Sequence, residues 1–316
     1  MNVQLQKSKR RLIDGYPGQL TETMQLYSLC VIPVLLVVIF NYLPIIGIII
    51  AFKDYRFNLG IFGSEWVGFD NFRIMLKTKD FVTITWNTLS LNFIFIVTGT
   101  IAAVLLSIIL FEVKSRTFTK AIQTLVITPY FLSWVIASYM VFAFLNSEYG
   151  ILNKILIGIG MKEVNWYSEP NAWPGILTVA NIWKNVGMDS VIYYAALMGI
   201  ENSLFEAAQV DGASKFRQAK SIIIPSIMPL IVIMTILKIG NIFRADFGMF
   251  YQLTRNVGVL YSKTDVIDTY IFRTMRVLGD MGLSSAVGLM QSVIGLVLVI
   301  CTNYASKKID KDFGLF

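Results

Sequence analysis

Asn181, Asn185 and Asp189 recur every fourth residue, which puts two amides and a carboxylate on one face of a helix. Lys184 sits beside that stripe, and a second polar group, Lys238, Asn241, Arg244 and Asp246, follows a later apolar run. None of these makes a reaction centre. The chain has no histidine, so no histidine triad and no histidine metal site can be built. Cys30 and Cys301 stand far apart inside apolar runs and read as small buried or lipid-facing side chains, with no metal cluster or disulfide framework. There is no Gly-x-x-x-x-Gly-Lys-Ser/Thr phosphate loop, so this chain is not expected to bind ATP itself. What remains is hydrogen bonding and charge, with no catalytic residue and no cofactor of the chain's own.

Two readings of the stripe stay open. An ionisable group at membrane depth costs a few kcal/mol or more unless it is paired or hydrated. A polar pathway would hydrate Asp189, Lys184 and the amides; equally, a buried polar network would only hold helices together. Tyr193 and Tyr194 lie further along and can be packing residues. Lys238 can snorkel to an interface. Gln291 and Ser292, and Asn92 in an earlier apolar run, are weaker candidates for the same pathway.

The elements that must position these residues are membrane spans. Of 316 residues, 55% are hydrophobic and 15% charged, more apolar surface than a soluble domain of this size can bury. A span needs about 20 mostly apolar residues. Segments 26–52, 84–111, 121–145, 172–198, 225–243 and 286–304 qualify, the fourth being the most polar. The basic start (Lys7, Lys9, Arg10, Arg11) followed by so long a run predicts a retained first span, because a signal peptide has a shorter apolar core. Short loops and span-flanking charges set orientation. Lys114, Arg116 and Lys120, then Lys215, Arg217 and Lys220, then Lys307, Lys308 and Lys311, favour cytoplasmic termini, with 1–25 and 306–316 as cytoplasmic segments. The net charge of +7 is accounted for by these anchors, and no basic stripe suggests nucleic acid. Trp66, Trp166 and Trp173, at or near the outer loops, suit interface anchoring in lipid.

The strongest local pattern lies in the loop 199–225. Ser203 and Glu206 have capping-box spacing, predicting a short helix from about Leu204. Ala207 and Ala208 leave a flat face for close packing. Asp211-Gly212 is turn chemistry. Ser214 can cap a second short helix carrying Lys215, Phe216 and Arg217, and Pro225 suits the first turn of the next span. The product is a helix–turn–helix elbow. An ordinary amphipathic connection would explain each part, though not their joint spacing.

That spacing resembles the signature loop of bacterial ABC importer permeases: Glu206-Ala207-Ala208, three residues, Gly212, nine residues, Ile222, one residue, then Ile224-Pro225. Ile224 replaces the family's usual leucine, a volume-conserving change. The resemblance implies that Glu206, Ala207, Ala208, Asp211, Gly212, Ala213, Phe216, Ile222 and Pro225 form a coupling helix docking on a separate ATPase, within an all-α type I importer permease fold of about six spans. Tyr42-Leu43-Pro44, Ala51-Phe52-Lys53-Asp54-Tyr55, Trp66-Val67-Gly68-Phe69-Asp70-Asn71-Phe72 and Asn87-Thr88-Leu89 resemble carbohydrate-importer permeases. Ala245-Asp246-Phe247-Gly248, Phe250-Tyr251-Gln252 and the stretch Thr264 to Tyr270 are similar to the subgroup importing polysaccharides or complex oligosaccharides. The resemblance further implies a heterodimer with a second permease, two ATP-binding subunits carrying ATP and Mg, an extracytoplasmic sugar-binding protein, and a site in the bacterial inner membrane. On this reading Asn181, Lys184, Asn185, Asp189, Tyr193, Lys238, Asn241, Arg244 and Gln291 are the substrate-pathway candidates, and the basic members can draw an acidic sugar. The competing class is an ion-coupled secondary sugar transporter using Asp189 with Lys184; an integral-membrane enzyme lacks convergent catalytic groups.

Overall fold

The structure, a computed structural model, describes residues 17–309. The expected N-terminal anchors Lys7, Lys9, Arg10 and Arg11, and Lys311 of the tail, lie outside the described residues. The architecture is helical. Among the described residues the strands are β1 (Lys53–Asp54) and β2 (Glu65–Trp66), paired antiparallel with Lys53 opposite Trp66.

Helix α1 (Pro17–Val37) continues through a π turn at Val38–Tyr42 and a 3-10 stretch at Leu43–Phe52. From Tyr27 to Tyr42 the apolar side chains are exposed nearly all round, as expected of a helix facing hydrocarbon. A short amphipathic helix α2 (Asp70–Lys77) precedes α3 (Lys79–Glu112), the second span. Asn71 of α2 ties the chain back by donating from Nδ2 to the carbonyls of Ala51 and Lys53, both at 3.0 Å.

The expected third span, 121–145, is broken. Helix α4 (Arg116–Ile127) runs into a 3-10 turn at Thr128–Phe131, and α5 (Trp134–Leu145) leaves at 101° to it. The cause is local. Pro129 has no N–H to continue the helix. Ser133 then starts a new one, its hydroxyl accepting from the Ile136 N–H at 3.3 Å. Helix α6 (Ile151–Gly158) follows, and then α7 (Trp173–Leu197), the expected fourth span. At 25 residues α7 is long enough to cross a bilayer, but it is not among the four helices that are also sufficiently apolar; the bent pair makes five. Its Lys184, Asn185 and Asp189 are the reason. Helix α7 packs along α3 and against α4, where Gly187 is required: a Cβ there would sit 1.9 Å from the Val126 carbonyl oxygen.

Helix α8 (Asn202–Val210) and α9 (Lys215–Gln218) form the elbow. A π turn at Ala219–Ile223 joins α9 to α10 (Ile224–Gly240), so one continuous helix runs from Lys215 to Gly240. Pro225 does not stop the helix; it occupies the first turn of α10, where its missing N–H is harmless. Helices α11 (Phe247–Leu253) and α12 (Ile267–Arg276) cover the end of the bundle opposite the elbow, and α13 (Met281–Ile309) returns as the last span.

Three buried clusters stack along the bundle. Trp134, Trp173, Leu177, Phe250 and Leu253 fill the end opposite the elbow. Met75, Ile84, Ile267, Leu283 and Val287 pack α2, α3, α12 and α13 together. Leu197, Phe205, Ile223 and Ile227 fill the elbow end.

Candidate functional site: an elbow and a polar cavity

The elbow is built by turn chemistry. Helix α8 ends with Gly212 at φ +72°, the left-handed region open to glycine. The Ala213 N–H donates to the Ala208 carbonyl at 2.9 Å and the Gly212 N–H to the Gln209 carbonyl at 3.0 Å. That pair of bonds is a Schellman cap, which satisfies carbonyls the helix end would leave unpaired. Ser214 caps α9, its hydroxyl accepting from the Arg217 N–H at 3.3 Å. Gln218, buried, donates from Nε2 to the Ala213 carbonyl at 3.1 Å and locks the turn. The expected capping box at the start of α8 does not form. Glu201 takes the cap position, and the Ser203 hydroxyl donates to its carboxylate at 3.3 Å instead.

Two contacts fix the elbow to the end of α3. Phe205 is buried against Phe111, ring centroids 5.6 Å apart, and the Lys215 ammonium meets the Glu112 carboxylate at 2.8 Å. On the other side Glu206, Ala207, Asp211, Gly212 and Pro225 are exposed, and Ala208, Ala213 and Ile222 half-buried. Val210 and Phe216 are 89% and 80% exposed, apolar side chains displayed on a polar segment. The sequence points to Phe216 and not to Phe205 and Ile223, the buried residues that anchor the elbow; their only signal was being large apolar residues in a polar loop.

The second feature is a cavity of about 420 Å³ between α3, α7 and α10. Asn181, Asn185, Asp189, Lys238, Asn241 and Arg244 all line it, as does Asn92. The Lys238 ammonium donates to the Asp189 carboxylate at 2.6 Å, joining α10 to α7. Asn92 of α3 donates from Nδ2 to the Ile242 carbonyl at 2.7 Å and the Arg244 carbonyl at 3.1 Å, holding the chain that leaves α10. The Arg244 guanidinium donates to the Ser292 hydroxyl at 3.4 Å and has no ion-pair partner among the described residues.

Three expected pathway residues lie elsewhere. Lys184 is buried and turns away from the cavity. It donates to the carbonyls of Pro129 at 3.3 Å, Tyr130 at 3.0 Å and Leu132, with the Trp134 ring 5.1 Å away. It therefore satisfies the carbonyls that the break between α4 and α5 leaves open. Tyr193 is 1% exposed and packs inside the bundle. Gln291 is buried, donating from Nε2 to the Phe243 carbonyl and, at 3.1 Å, to Asp268 Oδ2. Asp268 also accepts from the Ala245 N–H at 2.7 Å, so these residues clamp the turn after Arg244. Burial pushes the Asp268 carboxyl above the usual range, opposed by those hydrogen bonds and by Arg244.

Among the described residues no three His, Cys, Asp or Glu side chains gather to hold a metal, and both cysteines are exposed. The cavity offers amides, one self-neutralised ion pair and one further cation. Such groups offer hydrogen bonds and charge to a polar solute. The fold and site together define a membrane transport subunit.

Comparison with known proteins says which. Residues 96–311 match the model of the binding-protein-dependent transport system inner membrane component family, and the chain belongs to that family. It is similar to protein LplB of Bacillus subtilis (strain 168), 34% identical over 92% of this chain and 91% of that one. It is also similar to the polygalacturonan/rhamnogalacturonan transport system permease protein YteP of the same organism, 32% identical over 97% and 94%. Among solved structures it resembles a chain of a bacterial ABC transporter involved in the import of the acidic polysaccharide alginate, with a TM-score of 0.84 and 32% identity over 93% and 98%. A second structure of an alginate transporter, in complex with an alginate pentasaccharide-bound periplasmic protein, matches at 0.83. The chain is thus a permease subunit of an ABC importer, not an enzyme, and hydrolysis belongs to a separate subunit. The ion-coupled alternative is set aside by the same membership.

Proposed function

We propose that this permease passes a sugar oligomer, and preferentially an acidic one, through the cavity between α3, α7 and α10. One observation carries the reading: the cavity is lined by amides and by Arg244, a cation with no ion-pair partner among the described residues, while Asp189 and Lys238 cancel each other. Amides suit hydroxyl groups, and a guanidinium suits a carboxylate. The names of YteP and of the alginate importers, both concerned with acidic polysaccharides, support it. The chain works as half of a heterodimer with a second permease, fed by an extracytoplasmic sugar-binding protein. The elbow, Glu206 to Pro225, docks on one of two subunits that bind ATP and Mg. Both termini face the cytoplasm of a bacterial inner membrane. Closure of the ATPase pair pushes the elbow, and α3, α7 and α10 reorient around the cavity.

The test is uptake of labelled galacturonate, alginate and neutral glucan oligomers by cells carrying the whole importer, under ATP depletion and, separately, with an uncoupler. Uptake that stops on ATP depletion and survives the uncoupler, and that favours the acidic oligomers, is expected. Transport of none of them, or Arg244→Gln leaving the acidic preference intact, would defeat the sugar reading or its acidic part respectively.

A further inference from the structure

The polar stripe of α7 does not stop at Asp189. Tyr193 continues it one turn nearer the elbow, at the same four-residue spacing as Asn181 and Asn185. Tyr193 is 1% exposed, yet its phenol oxygen, shielded from solvent, has no hydrogen-bond partner among the described residues. The Thr100 hydroxyl of α3 is equally unpaired. Thr88 and Thr98 of the same helix donate to the carbonyls four residues back, and Thr100 does not. The Thr100 hydroxyl stands beside the phenol, near enough to act on it but without closing a hydrogen bond. Gly99, the residue before Thr100, lines the cavity, as Asp189 does. Two hydroxyls thus lie together just behind the cavity wall, with donors that nothing uses.

An unpaired buried hydroxyl is a cost that folds ordinarily remove, by supplying a partner or by an apolar residue in its place. Here a partner stands one turn away. Residues four apart are neighbours on a helix, with Cβ atoms about 5–6 Å apart. A long side chain leans back over the preceding turn, here the turn of Asp189. The phenol accordingly lies within the electrostatic reach of the Asp189 carboxylate. That carboxylate is engaged elsewhere, its Oδ2 accepting from Lys238 at 2.6 Å. The ion pair is a quarter exposed and faces the cavity, so a solute can reach the ammonium. A carboxylate displaced from Lys238 finds two hydroxyl donors behind it, and hydrogen bonds from hydroxyls to a carboxylate are strong ones.

We propose that Asp189 has two positions: paired with Lys238 as it stands here, it turns to the hydroxyls of Tyr193 and Thr100 when a solute carboxylate takes the ammonium. Lys238 then joins Arg244 as a second cation for an acidic sugar, and Tyr193 is a positioning residue that acts on the solute only through Asp189. Charge stays balanced: Lys238 and Arg244 face Asp189 and one solute carboxylate. The proposal rests on the acidic-sugar reading of the cavity and adds the exchange, which that reading does not need.

The importer, assembled with its partner subunits and binding protein in proteoliposomes, is given galacturonate oligomers and their neutral methyl esters at saturating loaded binding protein. Tyr193→Phe removes an unpaired oxygen and keeps the ring. The thermal midpoint of the complex is expected to hold or rise. Galacturonate uptake is expected to fall about 5- to 10-fold, and uptake of the ester to stay within about twofold of the parent. In an Asp189→Asn background, Tyr193→Phe is expected to lower galacturonate uptake no further, because residues that act through one another are not additive. A lowered midpoint, or equal loss for acid and ester, would mark a structural role. Undiminished galacturonate uptake would mark idle hydroxyls, and a further loss on top of Asp189→Asn a role apart from that carboxylate. Each of these overturns the exchange while the parent's preference for the acid leaves the sugar reading intact. A parent that takes up the ester as fast as the acid, or neither, overturns both.

Discussion

The Lys238 ammonium of α10 lies 2.6 Å from the Asp189 carboxylate of α7, with the two side chains 26% and 23% exposed. The pair joins two walls of the cavity and removes both charges from what a solute meets. Removing one partner leaves the other uncompensated, at a cost of about 1–2 kcal/mol after allowance for the solvent that reaches it. Asp189→Asn and Lys238→Met are each expected to reduce uptake about tenfold at unchanged membrane abundance. The swap Asp189→Lys with Lys238→Asp is expected to recover much of it. Uptake assays with immunoblot quantitation decide; single variants that transport normally would deny the pair a role.

Lys184→Met removes the donor to three main-chain carbonyls at the break between α4 and α5. The Pro129 carbonyl keeps the Leu132 N–H at 3.1 Å, while the half-buried carbonyls of Tyr130 and Leu132 lose this donor, at a cost of about 1–3 kcal/mol. The thermal midpoint of the purified complex is expected to fall by roughly 5–10 °C, with Lys184→Arg intermediate. Were Lys184 part of the pathway instead, uptake would drop while the midpoint held.

Gly212 and Phe216 test the elbow from opposite sides. Gly212→Ala forces a Cβ into the left-handed region at about 1–2 kcal/mol, and Gly212→Asn costs less. Gly212→Pro is expected to abolish uptake. Phe216→Ser disturbs no packing, since the ring is 80% exposed. It is expected to weaken co-purification of the ATPase with no change in thermal midpoint. Normal ATPase association in both Gly212→Pro and Phe216→Ser would remove the elbow from the coupling interface.

Asp268 predicts a pH effect. Its folded carboxyl sits above the usual range, mainly through burial, so the folded state holds the proton more tightly than the unfolded chain does. The stability this gives is complete below the ordinary aspartate value and is lost as pH rises through the raised folded value. Asp268→Asn can still accept from Ala245 and is expected to flatten that fall, matching or exceeding the parent at neutral pH. Thermal midpoints measured across the acidic range check it; parallel curves for the two proteins would contradict it.

Some of this was legible in the residues alone. Composition requires a membrane, because so much apolar surface has nowhere else to go. The elbow's turn is also local: Gly212 followed by Ser214 encodes a left-handed cap and a helix start within four residues. The break in the third span carried a signal too, Pro129 followed by Ser133, hidden by the apolarity of the segments around it.

The division among the polar residues was not legible. Asn181, Asn185 and Asp189 share a face, and Lys184 is one residue from Asn185, about 100° round the helix. Periodicity says that these faces differ; it does not say what each one meets. Only the packing of α7 between α3, α4 and α10 decided that the Asn185 face opens on a cavity while Lys184 meets the carbonyls of a broken helix. The sequence determined the membrane character, the Gly212–Ser214 turn and the absence of a phosphate loop, since these depend on composition or on neighbours along the chain. The tertiary structure decided the Asp189–Lys238 pair and the clamp of Gln291 on Asp268, because each joins groups brought together by packing of different elements.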